Sequence, residues 1–293
     1  MSTAIITEEW TTHAPSPSPI YHRIWSPPSS TPLRATVAFC HGMGEHVGRY
    51  DHVFNKFAVA GIKVRGFDQR GFGQTVVHKD VVKEATLGHN EGWERLMEDV
   101  GVCVERSRES GVKGFLMGHS MGGGIALSFA MGKGSEKGLA GVVVSSPLIA
   151  LGPNSAVSTP EYWAIRGLSK ILPTLTIKST VDDANLSHLP SVRESYRADP
   201  LVHAYTSFGT AASCVLNGEK LAKTAGSFSL PVLVVCGDED KIVSFKAAEQ
   251  WAEKCGSSDK EWKVVKGGLH ELHNDTEQDA IIQHYIDWIL KRA

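Results

Sequence analysis

The stretch Gly118-His119-Ser120-Met121-Gly122 follows the apolar run "GFLM" and leads into "GGIALSFAM". It matches G-x-S-x-G. Between a strand and a helix, this pattern holds a serine on a sharp turn where close contacts demand glycine on either side. The turn lifts the hydroxyl out at the top of a sheet and sets a helix N-terminus beneath developing negative charge. The glycines do not build a phosphate loop, because neither G-x-x-x-x-G-K-[ST] nor G-x-G-x-x-G is found there.

A serine hydroxyl is a weak nucleophile without a base and an orienting acid. On this kind of turn the chain order is serine, then Asp or Glu, then His. "LPVLVVCGDEDKIV" offers Asp238, Glu239 and Asp240 after a strand-like run, and "EWKVVKGGLHELHND" offers His270 and His273 after another. Among thirteen histidines, His270 occupies the required slot. Gly267-Gly268 before it supplies a turn, and His273 reads as a support or surface residue. "FCHGMGEH" ends an earlier strand, so the backbone N–H groups of Met43 and Met121 are the expected donors to an oxyanion. In "GFDQRGFG", Asp68 and Arg70 are expected to form an ion pair that shapes the loop.

These residues need a scaffold. "ATVAFC", "KVRGFD", "GFLMG", "GLAGVVVSS", "PVLVVCG" and "EWKVVKG" read as strands. Between them, "YDHVFNKFAVAGI", "GWERLMEDVGVCVERSRESG", "MGGGIALSFAMG" and residues 245–254 have helical spacing, and "EQDAIIQHYIDWILKR" closes the chain as a helix. Strands apolar on both faces and alternating with helices imply an α/β protein with a mostly parallel sheet covered on both sides. Ligands then bind at the carboxyl ends of the strands. "YHRIW" predicts a further strand near the N-terminus, where the connections leave no room for a helix and the sheet should turn antiparallel. "HAPSPSP" and "SPPSSTP" on either side of it read as turns.

The alternation stops between about Pro147 and Leu230. This stretch has short helical pieces and no clear strand, so residues 150–225 are expected to be a helical cap inserted into a single domain spanning 1–293. In "YWAIRGLSKILPTLTI", Ile165, Leu168, Ile171, Leu172 and Leu175 fall on one helical face, with Arg166, Lys170 and Lys178 nearby. Packing of the cap onto the core is the expected role of that stripe; contact with a lipid surface is compatible with it.

Composition excludes several classes. Over 293 residues, 42% are hydrophobic and 21% charged, an ordinary globular balance. A net charge of -2 provides no field to recruit nucleic acid. No run approaches the roughly 20 apolar residues of a membrane span, and "MSTAIITEEWTTH" does not read as a secretory signal. The five scattered cysteines are expected to be buried free thiols in a reducing, cytoplasmic compartment. No metal or organic cofactor is implied.

Taken in order, "HGMGEHVGRYDHVF", "GFDQRGFG", "GHSMGGG", "GDEDKIV" and "GGLHEL" resemble the monoacylglycerol lipases of the α/β-hydrolase fold, fungal members included, and the similarity runs from Glu9 onward. The resemblance implies Asp240 as the catalytic acid at the end of G-x-x-D, His270 as the base in G-x-x-H-x-L, and Ser120 as the nucleophile. It supports Met43 and Met121 as oxyanion donors. It places Glu45, Arg49, His119 and Tyr196 around a glycerol head group, although Glu45 and Arg49 could equally pair and hold their loop. The implied activity is cleavage of monoacylglycerol to glycerol and fatty acid through an acyl-enzyme, with membrane or lipid-droplet contact through the cap. A carboxylesterase, a lysophospholipase, an aminopeptidase-like hydrolase and a non-turnover receptor are the alternatives on this fold. Two departures stand out. "DKIVS" lacks the cysteine that some members carry after the aspartate, and "ALGPNSAVSTPEYW" does not follow the mammalian cap.

Overall fold

The structure is a computed structural model that describes residues 3–13, 16–82, 85–155, 157–178 and 181–293, with Ser16 and Pro17 described by backbone alone. Its first half runs β1 (Ile5–His13), β2 (Ser16–Ser26), β3 (Ala35–Cys40), α1 (Asp51–Val59), β4 (Ile62–Phe67), α2 (Gly73–Val77), α3 (Trp93–Ser107), β5 (Lys113–His119), α4 (Met121–Phe129) and β6 (Leu139–Ser145). Then follow α5 (Thr159–Ile171), β7 (Thr176–Lys178), α6 (Pro190–Ala198), β8 (Tyr205–Ser207) and α7 (Phe208–Thr224). The chain ends with β9 (Val232–Gly237), α8 (Phe245–Lys254), β10 (Lys260–Val265) and α9 (Gln278–Leu290).

Eight strands form one sheet in the order β1-β2-β4-β3-β5-β6-β9-β10. The β1–β2 and β2–β4 pairs are antiparallel and the remaining pairs parallel. The alternation of side chains along a strand sorts the core into two layers. Ala38, Cys40, Leu116, Val142, Val144, Val232 and Val234 pack beneath α3, α4 and α8. Their neighbours Val37, Phe39, Phe115, Met117, Val143, Leu233 and Val235 pack against α1 and α9. Every strand at the centre is therefore apolar on both faces, and the carboxyl ends of β3, β5, β6, β9 and β10 gather at one edge.

The helix stripes read from the sequence are the buried ones. Val53, Phe54, Phe57 and Ala58 of α1 are buried, as are Leu96, Val100, Cys103 and Val104 of α3. All five cysteines are buried and free.

Four readings are corrected. First, the "HAPSPSP" turn is shorter than expected, because β2 begins at Ser16; Ala14 and Pro15 lie outside the described residues. Second, the region between β6 and β9 does contain strands: β7 and β8 pair antiparallel, with Thr176 opposite Ser207. Third, the apolar stripe over 165–175 is not one helical face packed on the core. Helix α5 stops at Ile171, since Pro173 disfavours helical backbone in the residue before it. Ile165 is buried, whereas Ile171 (76% exposed), Leu172 and Leu175 face outward. Fourth, Asp68 and Arg70 do not pair with each other. Asp68 is satisfied by the N–H groups of Val47 and Gln74, and Arg70 reaches Asp99 and Glu91 instead.

Candidate active site

Ser120 sits between β5 and α4 with φ at 54° and ψ at -121°. A non-glycine residue there is strained, and such strain persists only where surrounding contacts over-determine it. Those contacts are visible. The Ser120 N–H donates to Ser145 O (3.0 Å), and Ser120 O accepts from Leu148 N (2.9 Å) and Gly124 N (3.1 Å). Glycine is required on both sides of the turn. A Cβ on Gly118 would stand 2.2 Å from Gly122 O, and one on Gly122 would stand 2.1 Å from Cys40 O.

The structure brings Ser120, Asp240 and His270 together. Ser120 Oγ lies 2.9 Å from His270 Nε2, and His270 Nδ1 lies 2.7 Å from Asp240 Oδ2. With the proton on Nδ1, the ring donates to the carboxylate and accepts from the hydroxyl. Asp240 Oδ1 is fixed in turn by the N–H groups of Ile242 (2.8 Å) and Val243 (3.0 Å). Burial alone would raise the Asp240 carboxyl; the His270 ring and those two N–H groups outweigh it and hold the pKa below the ordinary value. Burial pulls the His270 imidazole down, but the adjoining Asp240 carboxylate overrides it and the net shift is upward.

The other acids of the loop are placed elsewhere. Asp238 and Glu239 are exposed, and Asp238 Oδ1 accepts from Gly267 N (2.6 Å), tying the β9 loop to the β10 loop. His273 is buried rather than at the surface. Its ring stacks on Tyr50 (4.9 Å between centroids) and abuts His119 (4.8 Å). Burial drives the His273 pKa well below the ordinary value and that of His119 down to about 3, so both rings are neutral.

Met43 and Met121 flank the serine. Met121 is the first residue of α4, where a helix N–H has no intrahelical acceptor. The Met43 N–H has no hydrogen-bond partner among the described residues. Met43, Met121, Glu45, Arg49, His119 and Tyr196 all line one cavity of about 870 Å³ that also reaches Ser120 and His270. Its remaining wall is mainly apolar, including Leu148, Ile149, Leu168, Leu186, Val215 and Ile242. Glu45 and Arg49 do pair (2.6 Å), and Glu45 also accepts from Gly42 N and the Tyr50 hydroxyl.

Two residues escaped sequence reasoning. Glu271 is buried beside His270 and binds Arg49 through both carboxylate oxygens (2.7 and 2.8 Å). Ser146, also at positive φ, donates its hydroxyl to His270 O (2.9 Å). The only local signal for Glu271 was its place directly after His270. That Arg49, far away in sequence, would seal it from water is a tertiary fact.

Known proteins resemble this chain over most of its length. The family model Hydrolase_4 (serine aminopeptidase, S33) matches residues 31–277. An uncharacterised abhydrolase domain-containing protein of Dictyostelium discoideum is 35% identical over 92% of this chain, which spans only 27% of that relative's length. A monoacylglycerol lipase of Mycolicibacterium smegmatis is 30% identical, with 92% of each chain covered. The crystal structure of a soluble variant of monoglyceride lipase from Saccharomyces cerevisiae, in complex with a substrate analog, superposes with a TM-score of 0.84 at 25% identity, covering 97% of this chain and 95% of that one. The sheet order, the strained serine turn and these matches together establish that the chain belongs to the Hydrolase_4 family of the α/β-hydrolase fold and, within it, to the monoacylglycerol lipases.

Proposed function

We propose that this protein hydrolyses monoacylglycerols to glycerol and fatty acid through an acyl-enzyme. The observation that carries the reading is the unbroken contact chain Asp240–His270–Ser120 opening on a largely apolar cavity of about 870 Å³. That volume is near the upper end of the roughly 300–1,000 Å³ of small-molecule sites, room suited to a long acyl chain. His270 removes the Ser120 proton as the oxygen attacks the ester carbon. Asp240 holds the ring tautomer and stabilises the imidazolium. The N–H groups of Met43 and Met121 receive the oxyanion. His270 then protonates the departing glycerol oxygen and activates water for deacylation.

Glu45, Arg49, His119 and Tyr196 surround the glycerol. His119 Nδ1 has no partner among the described residues, and the Tyr196 hydroxyl makes no hydrogen bond among them, so these two are the free polar contacts. The segment between β6 and β9 serves as a cap within a single domain, since α5, α7 and the residues around Leu186 roof the cavity. A substrate panel tests the reading. Long-chain 1- and 2-monoacylglycerols should release glycerol at rates well above acetate and butyrate esters, lysophospholipids and aminoacyl amides. Preference for short esters would make the protein a carboxylesterase, and preference for amides an aminopeptidase.

Among the described residues, no helix is long and apolar enough to cross a membrane. The cap instead presents Trp163, Ile171, Leu172 and Leu175 outward, with the cations Lys170 and Lys178 close by in sequence. This supports peripheral contact with a membrane or lipid droplet, and the buried free thiols support a cytoplasmic setting. Burying one large aliphatic side chain contributes about 1.5–3 kcal/mol. Ile171→Asp should therefore weaken co-sedimentation with phosphatidylcholine vesicles roughly tenfold or more. Equal sedimentation of both proteins would remove the cap from the lipid contact.

A further inference from the structure

Arg49 is held from several sides in the cavity wall. Its Nη1 donates to Glu45 Oε2 (2.6 Å) and Glu271 Oε1 (2.7 Å), and its Nη2 donates to Glu271 Oε2 (2.8 Å). The guanidinium also lies 4.9 Å from the Tyr196 ring. Glu271 accepts a further bond from Asn274 Nδ2 (2.7 Å). A carboxylate sealed from water stays ionised only with such a set of partners, and the paired oxygens and nitrogens fix its direction as well as its charge.

The position of Glu271 gives this pairing a consequence. Its backbone is continuous with His270, and the same short segment is held from two other sides. The His270 N–H donates to Asn185 O (3.3 Å), the Glu271 N–H donates to Leu186 O (2.8 Å), and His270 O accepts from the Ser146 hydroxyl (2.9 Å). Asn185, Leu186 and Tyr196 all belong to the stretch between β6 and β9. Arg49 thus joins three parts of the chain: the loop after β3, the histidine loop, and the inserted stretch above them.

We propose that Arg49 and Glu271 are positioning residues for His270, the bidentate pair pinning the segment that carries the imidazole and tying it, through Tyr196, to the inserted stretch. The proposal rests on the reading of His270 as general base. It assigns Arg49 a task besides any contact with glycerol, because three of its five N–H groups are bonded to carboxylates. The charged and titratable groups around the ring are Asp240, Glu271, Glu45 and the neutral His119, with Arg49 and His273 behind them. Glu271 and Glu45 both favour the imidazolium, so neutralising Glu271 moves the His270 titration to lower pH.

Steady-state kinetics of Glu271→Gln and Arg49→Lys on a p-nitrophenyl ester and on a monoacylglycerol test it. Glu271→Gln should lower kcat on the order of 10²-fold on both substrates, the cost of a displaced catalytic group. The KM for monoacylglycerol should stay unchanged, and the acid limb of kcat/KM should move to lower pH. Arg49→Lys keeps the charge without the two-pronged geometry and should lose less of kcat than Glu271→Gln. A rise in KM confined to monoacylglycerol, with p-nitrophenyl ester turnover intact, would overturn the proposal and make the pair a glycerol contact. Should Glu271→Gln not fold, the double variant Arg49→Met, Glu271→Leu removes the bidentate pair and leaves Glu45 its bonds from Gly42 N and the Tyr50 hydroxyl. A folded double variant with the kcat of the parent also overturns the proposal. Ser120→Ala separates the two levels. Turnover persisting there removes the general-base reading itself, whereas loss there beside a parent-like Glu271→Gln removes only the positioning role.

Discussion

Ser120→Ala is expected to lower kcat for ester hydrolysis by about 10⁶-fold while the protein keeps its fold, the magnitude found when a nucleophile that acts as a unit with its base is deleted. The structural reason is the narrow role of the side chain. Among the described residues its one side-chain hydrogen bond is to His270 Nε2, whereas the turn itself is held by backbone bonds to Ser145, Leu148 and Gly124 that alanine retains. The thermal midpoint of the variant should match the parent, and an active-site-directed fluorophosphonate should label the parent alone. Residual turnover above about 1% would place the nucleophile elsewhere.

Asp240→Asn carries the second-largest effect, roughly 10⁴-fold in kcat. In the parent, Asp240 Oδ2 accepts from His270 Nδ1, which leaves Nε2 free to accept the serine proton. Asp240 Oδ1 already accepts two backbone N–H groups, so an asparagine must place its carbonyl there and turn its NH₂ toward the histidine. The ring then has to accept at Nδ1 and carry its proton on Nε2, the wrong tautomer for a base. The pH profile should change with it. His270 in the parent titrates above its ordinary 6.5, so the acid limb of kcat/KM should lie above that pH; in the variant it should fall.

Stability follows the same linkage. The raised histidine contributes stability that is full below pH 6.5 and lost as pH rises through its folded pKa. The lowered aspartate contributes stability present above pH 3.8 and lost as pH falls through its folded pKa. Asp240→Asn should remove both contributions, so a stability difference between variant and parent that does not vary with pH would count against the coupling.

Much of this architecture was legible before any coordinates. Helix faces such as Val53, Phe54, Phe57 and Ala58 are set by a period that any amphipathic helix must show, and the central strands by runs too apolar to leave a face in water. The order of serine, acid and histidine was readable because each follows a strand and strand ends in a parallel sheet converge at one edge, with Asp238, Glu239 and Asp240 all open as the acid on the residues alone. What failed was short or non-local. The β7–β8 ribbon is three residues on each side and lacks a periodic signature. The stop at Pro173 is itself a local signal, but which side of the short helix before it meets the core is not, and Ile171 and Leu175 face outward while Ile165 is buried.

The sequence by itself determined the local chemistry: a serine that only glycine neighbours could place on so tight a turn, an acid and a histidine in the right order, and the strands to carry them. Tertiary structure decided which acid meets the histidine. Asp238 and Asp240 are alike in type and two residues apart, but one faces solvent and binds Gly267 while the other faces inward to His270. It also decided the partners of Arg49. A buried cation takes whichever carboxylates the fold seals in with it, and Glu271 lies 222 positions away along the chain.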